Sequence, residues 1–234
     1  MKNALIAMSV VAIALAGAAG YFSYSGAKAR DEAQSLRNTV NDLSFKVNIL
    51  EGEKDAMSRV LEAKIADISR AKEEEIAQVK GTYDELAAGM KAEIEQGQVK
   101  LTQLADRLSV TLVDKILFPS GEAEVSPAGL KVLERVGKVL NNTGDKIIRV
   151  EGHTDNVPIH SRLQAQYPTN WDLSAARATN VVRFLQEKAG IAPQRLQAVG
   201  LSEYKPVASN QTPAGRGQNR RIEIALLPNA GAAK

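Results

Sequence analysis

Two residues of opposite charge carry the first chemical signal in this chain. Asp155 follows the run Val150-Glu151-Gly152-His153-Thr154, and Arg177 sits in Asn170-Trp171-Asp172-Leu173-Ser174-Ala175-Ala176-Arg177-Ala178. The β-branched stretch around Ile147 to Val150 reads as a strand that ends at Gly152 and releases Asp155 into a loop. Asn170 is expected to cap a helix whose second turn carries Arg177. An acid at a strand end and a base near a helix N-terminus can hold a small zwitterion. The carboxylate takes the ammonium; the guanidinium and free helix N–H groups take the carboxylate. From the residues alone, a structural salt bridge between loop and helix fits the same pattern equally well.

Other reactive groupings are weaker. His153 and His160 flank Asp155, but three ligands on one loop with no cysteine in the chain make a poor zinc set, so no metal or other cofactor is expected. Ser120, His153 and Asp155 contain the residue types of a hydrolytic triad. No nucleophile elbow accompanies them, and His153 and Asp155 share one strand end, so no enzyme is expected. Arg216, Arg220 and Arg221 form a basic cluster, yet 30 basic residues against 27 acidic ones leave no polyanion-binding surplus, and no nucleic acid partner is expected. Trp171 at a helix start suits a sugar platform or a packing anchor.

The surrounding elements fall into four stretches. Residues 1–26 hold a run of apolar and small residues from Ala4 to Phe22, interrupted only by Ser9. At 1.5 Å per residue it reaches roughly 28 Å, enough to cross a hydrocarbon core. Its length favours an uncleaved anchor over a cleaved signal, although Ala16-Gly17-Ala18 and Ala27-Lys28-Ala29 both satisfy a small-x-small cleavage rule. Residues 27–108 lack proline and place apolar residues at Leu36, Val40, Leu43, Val47, Leu50, Met57 and Leu61. The seam resumes from Ile65 through Val79, Leu86, Met90, Leu101 and Leu104 to Leu108. This four-three spacing predicts a coiled-coil stalk that joins two or more copies, about 120 Å long if unbroken. Gly52, Gly81, Gly89 and Gly97 are candidate breaks.

Residues 109–228 change period again. Val110 to Phe118 alternates like a strand, Ser126-Pro127 opens a helix, residues 146–151 form a strand, and residues 170–188 a helix. Strands at Leu196 to Val199 and Arg221 to Leu226 follow. The order predicts an α+β domain: a mixed β-sheet with helices on one face. Residues 229–234 read as a disordered tail. Aromatics make up only 4% of the chain, in keeping with a large part of it lying outside any globular core.

Four blocks in this order resemble the OmpA-like (OmpA/MotB) peptidoglycan-binding domain. They are Leu117-Phe118-Pro119-Ser120-Gly121, Val150 to Asp155, Leu173-Ser174-Ala175-Ala176-Arg177-Ala178, and Gly215-Arg216-Gly217-Gln218-Asn219-Arg220-Arg221-Ile222-Glu223-Ile224. The resemblance implies a βαβαββ sandwich that holds the bacterial cell wall non-covalently. It implies that Asp155 and Arg177 grip the diaminopimelate of the stem peptide, which presents an ammonium and a carboxylate on one carbon. Asn170, Asn219 and Arg220 match the family's pattern nearby, and Thr154 and Leu173 are expected to offer backbone contacts.

The whole chain then reads as a single-pass inner-membrane protein that tethers the membrane to peptidoglycan from the periplasm. Two alternatives remain open at this point. The long loop from Asn156 to Thr169 resembles that of MotB, which suggests the wall-binding subunit of a motor or other envelope complex. However, no acid lies between Lys2 and Arg30 to carry ions through a membrane helix. The other alternative is a periplasmic, outer-membrane-associated protein with a cleaved signal.

Overall fold

The computed structural model describes residues 2–105, 107–144 and 146–229, with side chains from residue 8 onward. The chain divides into two compact units, Met1–Ser69 and Arg70–Lys234. The first is helix throughout its described residues and belongs to α1, Lys2–Gly89. A stretch near its N-terminus is long and apolar enough to cross a membrane and is wholly unburied by the protein. The seam residues from Leu36 to Ile68 are 50–69% exposed, so nothing among the described residues covers them. Gly52 does not interrupt the helix, because one glycine costs only about 1 kcal/mol in a long helical run.

The second unit is an α+β domain on a five-stranded mixed sheet. Its strands are β1 (Val99–Leu104), β2 (Arg107–Val113), β3 (Ile147–His153), β4 (Leu196–Gly200) and β5 (Arg221–Leu227), in the order β1-β2-β5-β3-β4. Only β3 and β4 run parallel. The further helices are α2 (Lys91–Glu95), α3 (Asp114–Leu117), α4 (Pro127–Asn141), α5 (Asn170–Glu187) and α6 (Pro213–Asn219). Alternation decides the layering. Leu108, Val110, Leu112, Ile148, Val150, Ile222, Ile224 and Leu226 all point to one face and join a single core with Leu133, Val136, Leu140, Val181 and Leu185 of the helices. The opposite face carries Arg149, Glu151 and Glu223 and is half exposed.

Two boundaries differ from the sequence reading. The predicted helical stalk stops short of residue 108: α1 ends at Gly89, Gly97 turns with φ +66°, and Leu101, Leu104 and Leu108 lie in β1 and β2. The three-residue step from Leu101 to Leu104 suits a helix and puts the two on opposite faces of β1, where Leu104 is exposed; pairing with β2 overrides the helical spacing. The later seam residues Val79, Leu86 and Met90 are buried in the domain's own core and not left for a second chain. The predicted strand from Val110 to Phe118 breaks after Val113, where α3 turns Asp114 inward. Residues 230–234 of the expected tail lie outside the described residues.

Candidate functional site

Glycine brings the two halves of the site together. A Cβ on Gly152 would stand 2.1 Å from the carbonyl oxygen of Ser174, and one on Gly200 would stand 2.7 Å from the nitrogen of Ala175. The first turns of α5 therefore lie directly on the ends of β3 and β4. Thr169 and not Asn170 occupies the N-cap; its N–H and hydroxyl both donate to the Asp172 carboxylate, at 2.8 and 2.6 Å. Those bonds hold the Asp172 carboxyl below its ordinary range, the hydroxyl bond most strongly. Released from capping, the Asn170 amide staples the loop after β3. It donates to the carbonyls of Asp155 (3.3 Å) and Val157 (3.1 Å) and to Glu203 Oε2 (2.8 Å).

A cleft of about 710 Å³ opens above this junction. Of the residues expected in a site, Thr154, Asp155, Asn170, Leu173, Arg177 and Arg220 line it. Asp155 is buried; one carboxylate oxygen accepts from the N–H of Val157 at 3.1 Å and the other from Arg220. Thr154 is also buried, and its hydroxyl has no hydrogen-bond partner among the described residues. Leu173 supplies an apolar wall. Asn219 is not brought into the cleft. Fully buried, it accepts from the N–H groups of Val207 (2.8 Å) and Ala208 (3.0 Å) and donates to Ala208 O (2.9 Å) and Asn210 Oδ1 (2.7 Å). Its amide is spent on folding the loop before α6.

Arg177 is only 2% exposed. It pairs with Asp114 at 2.9 Å, donates to the carbonyl of Glu122 at 2.8 Å, and lies 4.9 Å from the centroid of Phe118. The loop-to-helix salt bridge between Asp155 and Arg177 is not formed; each has another ionic partner. Burial lowers the Arg177 pKa from its ordinary value, although Asp114 pulls the other way. Burial likewise raises the Asp114 carboxyl above the usual aspartate range, despite Arg177 beside it.

Sequence reasoning missed Asp114, Phe118 and Glu203. A charged residue inside the apolar alternation from Val110 to Phe118 was the available signal for Asp114; Glu203 lies in a turn with no pattern of its own. Lys115, Arg162 and Arg216 also line the cleft, giving five cations against the carboxylates of Asp114 and Asp155. The field therefore favours a ligand with more acidic than basic groups. His153, Asp155 and His160 are not gathered as ligands: the His160 ring accepts from the N–H of Arg162 at 3.3 Å, and Asp155 faces Arg220. Trp171, 48% exposed, stacks on Tyr204 with ring centroids 5.5 Å apart beside Asn170 and Glu203.

Strand-end acid, buried helix arginine and the intervening loop all fall within residues 117–220, which match the OmpA family. The chain carries an OmpA-family domain. It is 35% identical over 135 residues to motility protein B of Bacillus subtilis, covering 58% of this chain and 51% of that protein. It is 36% identical over 111 residues to the peptidoglycan-binding protein ArfA of Mycobacterium tuberculosis, covering 47% of this chain and 32% of that one. A solved structure, the cell wall anchor of the T6SS from Pseudomonas aeruginosa, is 35% identical with a TM-score of 0.56, covering 62% of this chain and 97% of that chain. The chain thus spans about half the length of the first of these relatives.

Proposed function

We propose that the OmpA-family domain holds peptidoglycan non-covalently, through the diaminopimelate of the stem peptide, and so tethers a membrane-anchored protein to the cell wall. The observation that carries this reading is a single cleft with a buried acid, Asp155, and a buried base, Arg177, each on its own wall. The ligand ammonium would share the Asp155 carboxylate with Arg220, since an ionised carboxylate has about four acceptor sites and two are filled here. The ligand carboxylate would face Arg177, whose other contacts fix its orientation. The unpartnered Thr154 hydroxyl supplies one further bond. Two relatives, a peptidoglycan-binding protein and a cell wall anchor, support this reading.

The apolar N-terminal stretch would anchor the chain in the inner membrane, with the domain in the periplasm. The exposed seam from Leu36 to Ile68 would pair with a second copy. The likeness to motility protein B favours a second reading, the wall-binding subunit of an ion-driven complex. The acid-free stretch between Lys2 and Arg30 leaves that role without its ion-carrying group.

Co-sedimentation of the full chain in detergent with purified diaminopimelate-type peptidoglycan tests the proposal. Wild type is expected to pellet, while folded Asp155→Ala and Arg177→Ala variants stay in the supernatant. Wild type remaining soluble would sink the reading.

A further inference from the structure

The half-exposed face of the sheet, opposite the helices, holds a second cluster that the cleft does not use. Glu151 and His153 lie on one face of β3, and the register sets Glu151 directly across from Glu223 of β5. One ligand atom from each of Glu151, His153 and Glu223 falls within 4.8 Å of the others, and His153 Nε2 is 3.8 Å from Glu151 Oε2. Two features of this cluster are unexplained by folding alone. Like charges directly opposite on paired strands repel. His153 is only 3% exposed, yet neither ring nitrogen has a hydrogen-bond partner among the described residues.

A bound cation resolves both. It offsets the two carboxylates and gives an imidazole lone pair something to meet. We propose that Glu151, His153 and Glu223 bind one divalent cation of the Zn²⁺ class, with water completing the coordination. One nitrogen and two carboxylate ligands suit such an ion, which holds them at ~2.0–2.2 Å. Two neighbouring arginines offset part of the carboxylate charge. Arg221 engages Glu223 Oε1 at 2.9 Å and sends its other donors to the carbonyls of Asn219 and Lys205, both at 3.2 Å. Arg149 stands 4.0 Å from Glu151 Oε1 and donates to Gln197. The imidazole is neutral and ready to ligate at pH 7, since burial and Arg221 push its pKa down to about 4. Burial, with Glu223 opposite, raises the Glu151 carboxyl. None of the three ligands lines the cleft, so the cation is distinct from the wall-binding chemistry. It would instead pin the end of β3, from which Thr154 and Asp155 project.

The test is titration of metal-depleted full-length chain with ZnCl₂ by calorimetry, together with the metal content after gel filtration. Wild type should take up one equivalent and melt at a higher temperature with zinc than without. Glu223→Gln and His153→Gln should each weaken binding by at least about 10-fold, and His160→Gln should change nothing. Arg149→Gln, which removes a nearby positive charge from a half-exposed position, should tighten binding, a response that a purely structural cluster would not give. Absence of uptake by wild type, or uptake that survives Glu223→Gln, overturns the proposal. So does Ca²⁺ binding as tightly as Zn²⁺ to wild type, because imidazole would then play no part. Each of these outcomes is independent of whether peptidoglycan is bound.

Discussion

Gly152→Ala is the smallest change that should disable the site without touching any group in it. The new methyl would meet the Ser174 carbonyl oxygen at 2.1 Å and its carbonyl carbon at 2.9 Å. Both are backbone atoms of α5, so no side-chain rotation relieves the clash. Reaching the 3.4 Å of ordinary contact requires α5 to retreat from β3 by about 1.3 Å. Over that distance the Asn170 bonds to Asp155 O (3.3 Å) and Val157 O (3.1 Å) cannot persist, nor can the 3.1 Å bond from Ser202 N to Ser174 Oγ. Overpacking against backbone belongs at the upper end of the ~1–3 kcal/mol range, and the entropy that alanine removes from the unfolded chain returns about 0.4–1 kcal/mol. A net loss of about 2–3 kcal/mol follows. In a domain of this size each kcal/mol moves Tm by about 2–4 °C, so a drop of roughly 5–10 °C is expected.

The lone tryptophan, Trp171, lies in the first turn of α5 and makes fluorescence melting of the full chain a local readout. Binding should suffer more than stability, because Arg177 rides on α5 while Asp155 hangs from β3. Peptidoglycan retention is expected to fall by more than about 10-fold, or ~1.4 kcal/mol. Gly81→Ala, with nothing within 4 Å of its added methyl, is the matched control and should gain up to about 1 kcal/mol of helix stability. If Gly152→Ala melts within about 2 °C of wild type and still pellets with the wall, the close approach of strand and helix does not set the site.

Three further outcomes follow from the same structure. Burial holds Asp114 above the usual aspartate range, so the folded state takes up its proton more readily than the unfolded chain. Its contribution to stability is complete below the ordinary aspartate pKa and is lost as pH rises through the folded one. Asp114→Asn should therefore flatten the pH dependence of denaturant unfolding over that window, and it should weaken wall binding by loosening Arg177, whose buried charge loses its ionic partner. Asn219→Ala should cost about 1–3 kcal/mol in the same unfolding assay by removing the buried amide that holds the N–H groups of Val207 and Ala208. The variant's affinity for the wall, measured below its melting transition, should be unchanged. Leu43→Glu with Leu50→Glu places charge on an exposed apolar seam, and analytical ultracentrifugation should show the full chain losing self-association while its melting behaviour holds.

Much of the site was legible because its signals were local. A strand-ending glycine, an acid just past it and a capped helix with an arginine in its second turn are all short-range patterns, and Asp155, Asn170 and Arg177 do converge on one cleft. What escaped depended on distance in sequence. Asp114 looked like one more position in a strand until a helical turn aimed it at Arg177. Asn219 sat within a recognised block yet spends its amide on a loop. The apolar seam of α1 is uniform in sequence, but its early residues are exposed and its later ones, Val79 and Leu86, join the core of the domain. Periodicity states that a face is apolar; it does not name what covers the face.

The strand β3 shows why a loop residue can nonetheless be held in place. Its alternate side chains Ile148 and Val150 are buried in the core, Gly152 admits α5, and Glu151 and His153 occupy the other face. Pairing on both sides, with β4 and with β5, fixes this register as far as Gly152. A slip of one residue would turn the apolar set outward and the carboxylate and imidazole inward, a change the core forbids. Thr154 is then tied to Ser202 O at 2.9 Å, and the Asp155 carboxylate is tied to Val157 N at 3.1 Å. The aim of Asp155 is thus set by strand pairing before the loop begins. A two-point grip on a zwitterion needs that, because its two charges sit on one carbon and neither wall of the cleft can adjust alone.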